Sequence, residues 1–139
     1  MPPDDGQPRR DAELRTIAMP ADTNAYGDIF GGWLLAQMDL AAGSYAILRT
    51  GGRVATVGIE AMSFHRPVYV GDQVSCFCNV EKVGNTSITV HVQTWARRRA
   101  AHHYGESVKV TEGNFTFVAL NDDGSKRAVP REAVEACTP

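Results

Sequence analysis

Cysteine is scarce in this chain. Cys76, Cys78 and Cys137 make an odd number, and the first two lie one residue apart in an apolar run that reads as strand. Side chains two apart share a sheet face, but a bridge along one strand fits disulfide geometry poorly. Buried, reduced thiols are expected, and with them a reducing compartment. An excess of positive charge is also missing. Fourteen basic against sixteen acidic side chains leave a formal charge of -2, so no global field draws in nucleic acid or an anionic membrane. An anionic ligand must be held by local groups. The longest apolar stretch, 30–48, is broken by Gly31, Gly32, Gln37, Asp39, Gly43 and Ser44, which makes it a poor membrane span. No basic-then-apolar secretion signal opens the sequence, and the cytoplasm is the expected address. Internal repeats and low-complexity tracts are absent. So is the G-x-S-x-G turn of a serine hydrolase. The 139 residues leave no room for separate cofactor and substrate domains.

What is present is a foldable composition, 43% hydrophobic and 22% charged, able to bury a core. Residues 13–19 end at Pro20 and predict a short first strand, followed by an irregular loop through Gly27. Residues 31–49 are apolar almost all round and too long for a strand. They predict a helix buried on most of its circumference and closed by Gly51 and Gly52. After Gly52 the period changes to two, over 54–64, 73–83, 87–97 and 107–120. Ile88, Val90 and Val92 alternate with Thr89, His91 and Gln93, as in a strand with one wet face. Gly71-Asp72 and Gly84-Asn85 are tight-turn pairs and predict antiparallel hairpins between neighbouring strands. Residues 121–124 make a polar turn, and Pro130-Arg131-Glu132 either opens a short terminal helix or frays. The fold class is therefore α+β, one long helix wrapped by a curved antiparallel sheet. A flexible tail is expected over 1–12, the domain over 13–130 and a second tail over 131–139. One thin sheet cannot cover so apolar a helix, so a partner subunit is expected, in a two-fold dimer.

Asp39 is the most informative residue. It lies mid-helix among Met38, Leu40, Ala41 and Ala42, where an unpaired buried carboxylate costs several kcal/mol, on the order of 2–7 or more. Either it reaches solvent or pairs with an arginine, or it is a general base or nucleophile in a cleft. Upstream, DTNAYGDIFGGW is a polar loop with Asn24 and Asp28 running into Gly31 and Gly32 at the helix start. First-turn N–H groups are unsatisfied and partly positive, so they can polarise a carbonyl, and glycines let a ligand approach closely. The plainer reading is an N-cap by Asp28 with glycines for packing. Asp39 lies seven positions after Gly32, about 10 Å along one helix. A base and an oxyanion donor must both come within about 3 Å of the reacting groups. Two adjacent helices in a dimer satisfy that where one helix does not.

Three ordered blocks, DTNAYGDIFGGWLLAQMD, VGIEAMSFHRPVYVGD and KVGNTSITVHVQTW, make the chain similar to the hotdog-fold acyl-CoA thioesterases of the YciA type, from about Leu14 to Pro130. The resemblance implies acyl-CoA as substrate with no separate cofactor. It also implies a homodimer with shared sites, often assembled as a trimer of dimers. Asn24 and Asp39 would be the catalytic pair, contributed from opposite sides of the interface, with Gly31 and Gly32 polarising the thioester carbonyl. Asp39 would activate water or attack directly, and the Asn24 amide, able to donate and accept, would orient the water or the carbonyl.

For coenzyme A the resemblance points to the Phe64-His65-Arg66-Pro67 corner, with Arg66 in the basic position before proline. The Gly84-Asn85-Thr86-Ser87 turn offers N–H groups for pantetheine amides or phosphates. The alternative for Arg66 is a solvated charge. Arg97, Arg98 and Arg99 read first as a solvated face and second as an addition to the phosphate site. His102 and His103 belong to a flexible loop, and no spacing makes a metal site. Trp33, Leu35 and Tyr45 either border an acyl channel or pack the core. A hotdog dehydratase normally needs a positioned histidine, and none occurs between Asp22 and Arg49. A non-catalytic acyl-CoA binding module is the alternative from another class, but a passive apolar tunnel has no use for Asp39.

Overall fold

The computed structural model of the chain describes residues 6–99 and 104–131. Strand β1 (Leu14–Ile17) is shorter than its sequence segment and gives way to one turn of 3-10 helix at Pro20–Asp22. The following loop closes on itself through a bridge between Thr23 and Ile29. Helix α1 (Gly31–Thr50) ends at Gly51, whose left-handed backbone (φ 78°) lets its N–H reach the Ile47 carbonyl. Strands β2 (Val54–Phe64), β3 (Gln73–Val83), β4 (Ser87–Arg97) and β5 (Ser107–Ala119) follow.

The five strands form one antiparallel sheet in the order β1-β3-β4-β5-β2. Gly84-Asn85 turns β3 into β4 as the sequence predicts. The hairpin expected at Gly71-Asp72 does not form, because β2 pairs with β5 at the far edge of the sheet. The chain between β2 and β3 must cross three inter-strand gaps, roughly 14 Å. Residues 65–72 reach that far and are pinned on the way, with the His65 and Arg66 N–H groups donating to the Val110 carbonyl. Gly71, at φ 92°, turns the chain beside β1, where its N–H reaches the Ala18 carbonyl.

Helix α1 lies on the concave face of the sheet. Met38, Ala41, Ala42, Tyr45 and Ala46 pack on Cys76, Cys78, Ile88, Val90, Val92, Phe115 and Phe117. Leu34 joins a second cluster with Ala18, Val68, Val74, Ala96 and Val110. Within one chain the helix is not buried on most of its circumference. Leu40, Ile47 and Leu48 stay exposed, as do Val57, Ile59 and Phe64 of the edge strand β2. A single sheet covers one side of a helix, and the rest of this apolar surface stays open to solvent within the chain.

The two core thiols are buried and unbridged. Burial raises the Cys76 pKa to about 11 and raises that of Cys78 as well; Cys137 lies outside the described residues. The described part of the N-terminal segment meets the sheet. Gly6 lies against Trp95, and the Ser107 hydroxyl donates to Gln7 Oε1 at 2.5 Å. Residues from 132 onward, over which the sequence allows either a helix or fraying, also lie outside the described range. Among the described residues no helix is long and apolar enough to cross a membrane.

The arginine run does not behave as one face. Arg99 is exposed and Arg97 donates to the Gly105 carbonyl. Arg98 is buried, bonded to the Asp72 carboxylate at 2.6 Å and to the Pro67 carbonyl at 2.9 Å. Its guanidinium also lies 4.7 Å from the Tyr69 ring centroid. Asp72 in turn accepts the Tyr69 N–H, so this pair is a structural clamp on the 67–72 turn. Removing one partner leaves an uncompensated buried charge. Asp72→Ala is therefore expected to lower stability by about 3–5 kcal/mol in urea unfolding; a loss below about 1 kcal/mol would contradict the clamp.

Candidate active site

Asp39 projects from the outward side of α1 toward β2. Its Oδ1 accepts a 2.7 Å hydrogen bond from the Thr56 hydroxyl. The residue is half-buried, its bond to Thr56 is exposed, and no arginine pairs with it among the described residues. It opens onto a cavity of about 470 Å³ lined by Leu40, Gly43, Ser44, Ile47, Leu48, Val54, Thr56 and Phe117. With one oxygen bonded to Thr56, the carboxylate has a second oxygen free to accept from a ligand.

Sequence reasoning missed Thr56. Its signal is nevertheless present: Val54 and Thr56 share a face by the period of two, that face meets the helix, and a hydroxyl there needs a polar partner.

The helix start is built differently. Asp28 does not cap it. The N-cap position is Phe30, which supplies no side-chain bond, while the Asp28 carbonyl accepts the Asn24 N–H and the Asp28 N–H donates to Asn24 Oδ1. The first-turn N–H groups are thus left without a side-chain acceptor. Gly31 lines a second cavity of about 330 Å³ with Ile29, Leu34, Phe64, His65, Arg66, Pro67 and Val68. Gly32 is exposed, and a Cβ there would meet nothing within 4 Å.

Asn24 is held on the loop just ahead of this cavity. Its Oδ1 accepts the N–H of Tyr26 at 2.9 Å and that of Asp28 at 3.1 Å. Two donors on one oxygen fix the orientation of the amide. The Nδ2 hydrogens have no intramolecular partner among the described residues, so the group this residue can offer to a ligand is a donor.

The expected coenzyme A residues fall into two sets. Phe64, Arg66 and Pro67 join Gly31 in one cavity, where Arg66 is exposed. Gly84, Asn85, Thr86 and Ser87 lie at the opposite end of the sheet. Ser87 is in register with Val118, near the Phe117 wall of the Asp39 cavity. The Gly84 N–H closes the hairpin onto the Ser87 carbonyl, and the N–H groups of Asn85 and Thr86 have no backbone acceptor among the described residues. Trp33, Leu35 and Tyr45 all pack into the core clusters and do not line the Asp39 cavity.

A separate polar cluster surrounds Glu112, bonded by Lys109, His65 and His91 at 3.0, 3.0 and 3.3 Å. Lys109 first, and His65 with it, hold this carboxyl below its usual range. Among the described residues no group of His, Cys, Asp and Glu side chains is arranged to hold a metal ion. His102 and His103 lie outside them.

One helix against a curved antiparallel sheet, with an accessible carboxylate midway along the helix's open side and a second cavity at its N-terminus, defines a hotdog architecture. Residues 26–117 match the family model of the thioesterase superfamily, and the chain belongs to that superfamily. It is 47% identical to the acyl-CoA thioester hydrolase YciA of Salmonella typhimurium over 126 residues, 91% of this chain and 95% of that protein. Two solved structures are close. HI0827, a hexameric broad-specificity acyl-coenzyme A thioesterase solved as an aspartate-to-alanine variant, has a TM-score of 0.85 at 44% identity, covering 90% of this chain and 92% of its own. Cj0915, a hexameric hotdog-fold thioesterase of Campylobacter jejuni, has a TM-score of 0.86 at 38% identity, covering 91% and 96%.

Proposed function

We propose that this protein hydrolyses acyl-CoA to free coenzyme A and a carboxylic acid, in a cytoplasmic setting and without a cofactor. The observation that carries the reading is the Asp39 carboxylate, held by Thr56 at the edge of an apolar cavity with no cation paired to it among the described residues. The similarity to YciA and HI0827 supplies the substrate class. Within one chain Asp39 and Gly31 line different cavities, about 10 Å or more apart along the helix. The reaction centre is therefore a shared one, with Asp39 of one subunit facing Asn24 and the α1 N-terminus of the other. The exposed faces of α1 and β2 form the two-fold contact, and three such dimers make the assembly.

The thioester carbonyl sits against the Asn24 Nδ2–H and the first-turn N–H groups, which stabilise the developing oxyanion. Asp39 takes a proton from water as the water oxygen attacks the carbonyl carbon. When the C–S bond breaks, the sulfur leaves with the bonding pair and receives that proton. Direct attack by the carboxylate, through an anhydride that water then opens, uses the same atoms.

Release of free thiol from acetyl-, octanoyl- and dodecanoyl-CoA tests the function. Turnover with matching carboxylic acid is expected, whereas binding without turnover would support the non-catalytic module instead. The cavity runs from Asp39 to Leu48, roughly 13 Å of helix, and is suited to an acyl chain. Filling it should discriminate by length. Ser44→Phe is expected to lower kcat/KM for dodecanoyl-CoA by at least about tenfold and for acetyl-CoA by less than about threefold. An equal loss at both lengths would contradict the acyl assignment.

A further inference from the structure

The chain carries a second apolar surface, at the sheet edge opposite β2. Ile17 at the end of β1 is 40% exposed and Met19 just beyond it 53%; Tyr69 and Val70 on the neighbouring turn are 51% and 45% exposed. Backbone bonds join the two segments directly, from Gly71 N–H to the Ala18 carbonyl and from Ala18 N–H to the Asp72 carbonyl. The four side chains therefore belong to one surface. A flexible loop presenting apolar residues would lose conformational entropy on docking, but this turn is already rigid. The buried Asp72–Arg98 pair holds it from beneath through the Tyr69 N–H, the Pro67 carbonyl and the Tyr69 ring.

We propose that this surface is the contact between dimers, occupied by a second copy of this chain. The inference rests on the assembly proposed above and locates its second interface. A two-fold contact uses one patch on both copies and then closes, so the α1 and β2 face yields two chains and no more. Six chains require another contact patch. HI0827 and Cj0915 are hexameric and are 44% and 38% identical to this chain over nine-tenths of its length. Because the two apolar surfaces lie at opposite edges of the sheet, a subunit can use both at once. The same turn also connects to the active site. Pro67 and Val68, immediately before Tyr69, line the cavity at the α1 N-terminus, whereas Met19 and Val70 line neither that cavity nor the one at Asp39.

Light scattering on the eluting full-length protein, at micromolar concentration, tests this. The unaltered chain should elute with the mass of six subunits, and Val70→Glu and Met19→Lys, from the two sides of the patch, should each give the mass of two. Thiol release from acetyl-CoA should stay within about threefold of the unaltered chain, which separates a lost contact from a misfolded subunit. A six-chain mass retained by both variants would overturn the placement while leaving the hexamer intact. A two-chain mass for the unaltered protein would overturn the hexamer itself, and the contact with it. A loss of folding in both variants, seen as a collapsed thermal transition, would assign the patch to the subunit's own stability and also overturn the proposal.

Discussion

Asp39→Asn is expected to lower kcat for acyl-CoA hydrolysis by about 10²- to 10⁴-fold while leaving the fold unchanged. Asparagine keeps the shape of the side chain and an oxygen able to accept the Thr56 hydroxyl, which Asp39 accepts at 2.7 Å. What it loses is the capacity to take a proton or to attack a carbonyl. The cavity wall is unaltered, so KM should move much less than kcat, the pattern of an interaction made in the transition state. Steady-state thiol release checks this, and a kcat within about threefold of the unaltered enzyme would remove Asp39 from the chemistry.

Asn24→Asp is expected to cost about 2.7 to 4 kcal/mol of transition-state stabilisation, roughly 10²- to 10³-fold in kcat. The argument turns on which atom of the amide is committed. Oδ1 already accepts two backbone N–H groups, and a carboxylate accepts them as well, so the loop ahead of α1 survives the change. Only the N–H donor disappears, and a negative charge takes its place beside the developing oxyanion. Asn24→Ala should be comparably slow, with a less stable loop in addition. If the Asn24 oxygen were the working atom, the aspartate variant would keep most of the activity. Comparing kcat for the two variants decides between them.

Much of the architecture was legible because the strands carry a clean period of two and the helix is bounded by glycine. The sequence segments for β2, β3 and β4 coincide with the observed strands, and Gly51 ends α1 as its position suggests. Strand pairing was harder to read. Gly71-Asp72 has turn chemistry, but its turn serves β1, because the order of strands in a sheet depends on contacts far apart in the chain. The rotation of the helix was illegible for a physical reason. With apolar residues on every side, no polar stripe marks the solvent face, so the sequence leaves Trp33, Leu35 and Tyr45 open between channel and core and does not single out Leu40, Gly43 and Ile47, which line the cavity.

The residues of the candidate site divide in the same way. Asp39 announced itself as a charge out of place, and Asn24 and Gly31 through loop and helix-start chemistry. Thr56 did not, since one threonine in a β-branched strand is ordinary until the helix is set against it. Arg98 sat in a run that looked solvated, and its burial depends on Asp72 arriving from a turn 26 residues earlier.

Co-expression of Asp39→Asn with Asn24→Asp tests the central claim, a reaction centre shared by two subunits, most directly. Each variant alone should be nearly inactive, because every site carries one lesion. In mixed dimers one site collects both lesions and the other none, so random pairing should restore about a quarter of the unaltered activity. Thiol release no greater than that of the separate variants, from a preparation shown by mass to contain both chains in one dimer, would contradict a site built across the interface.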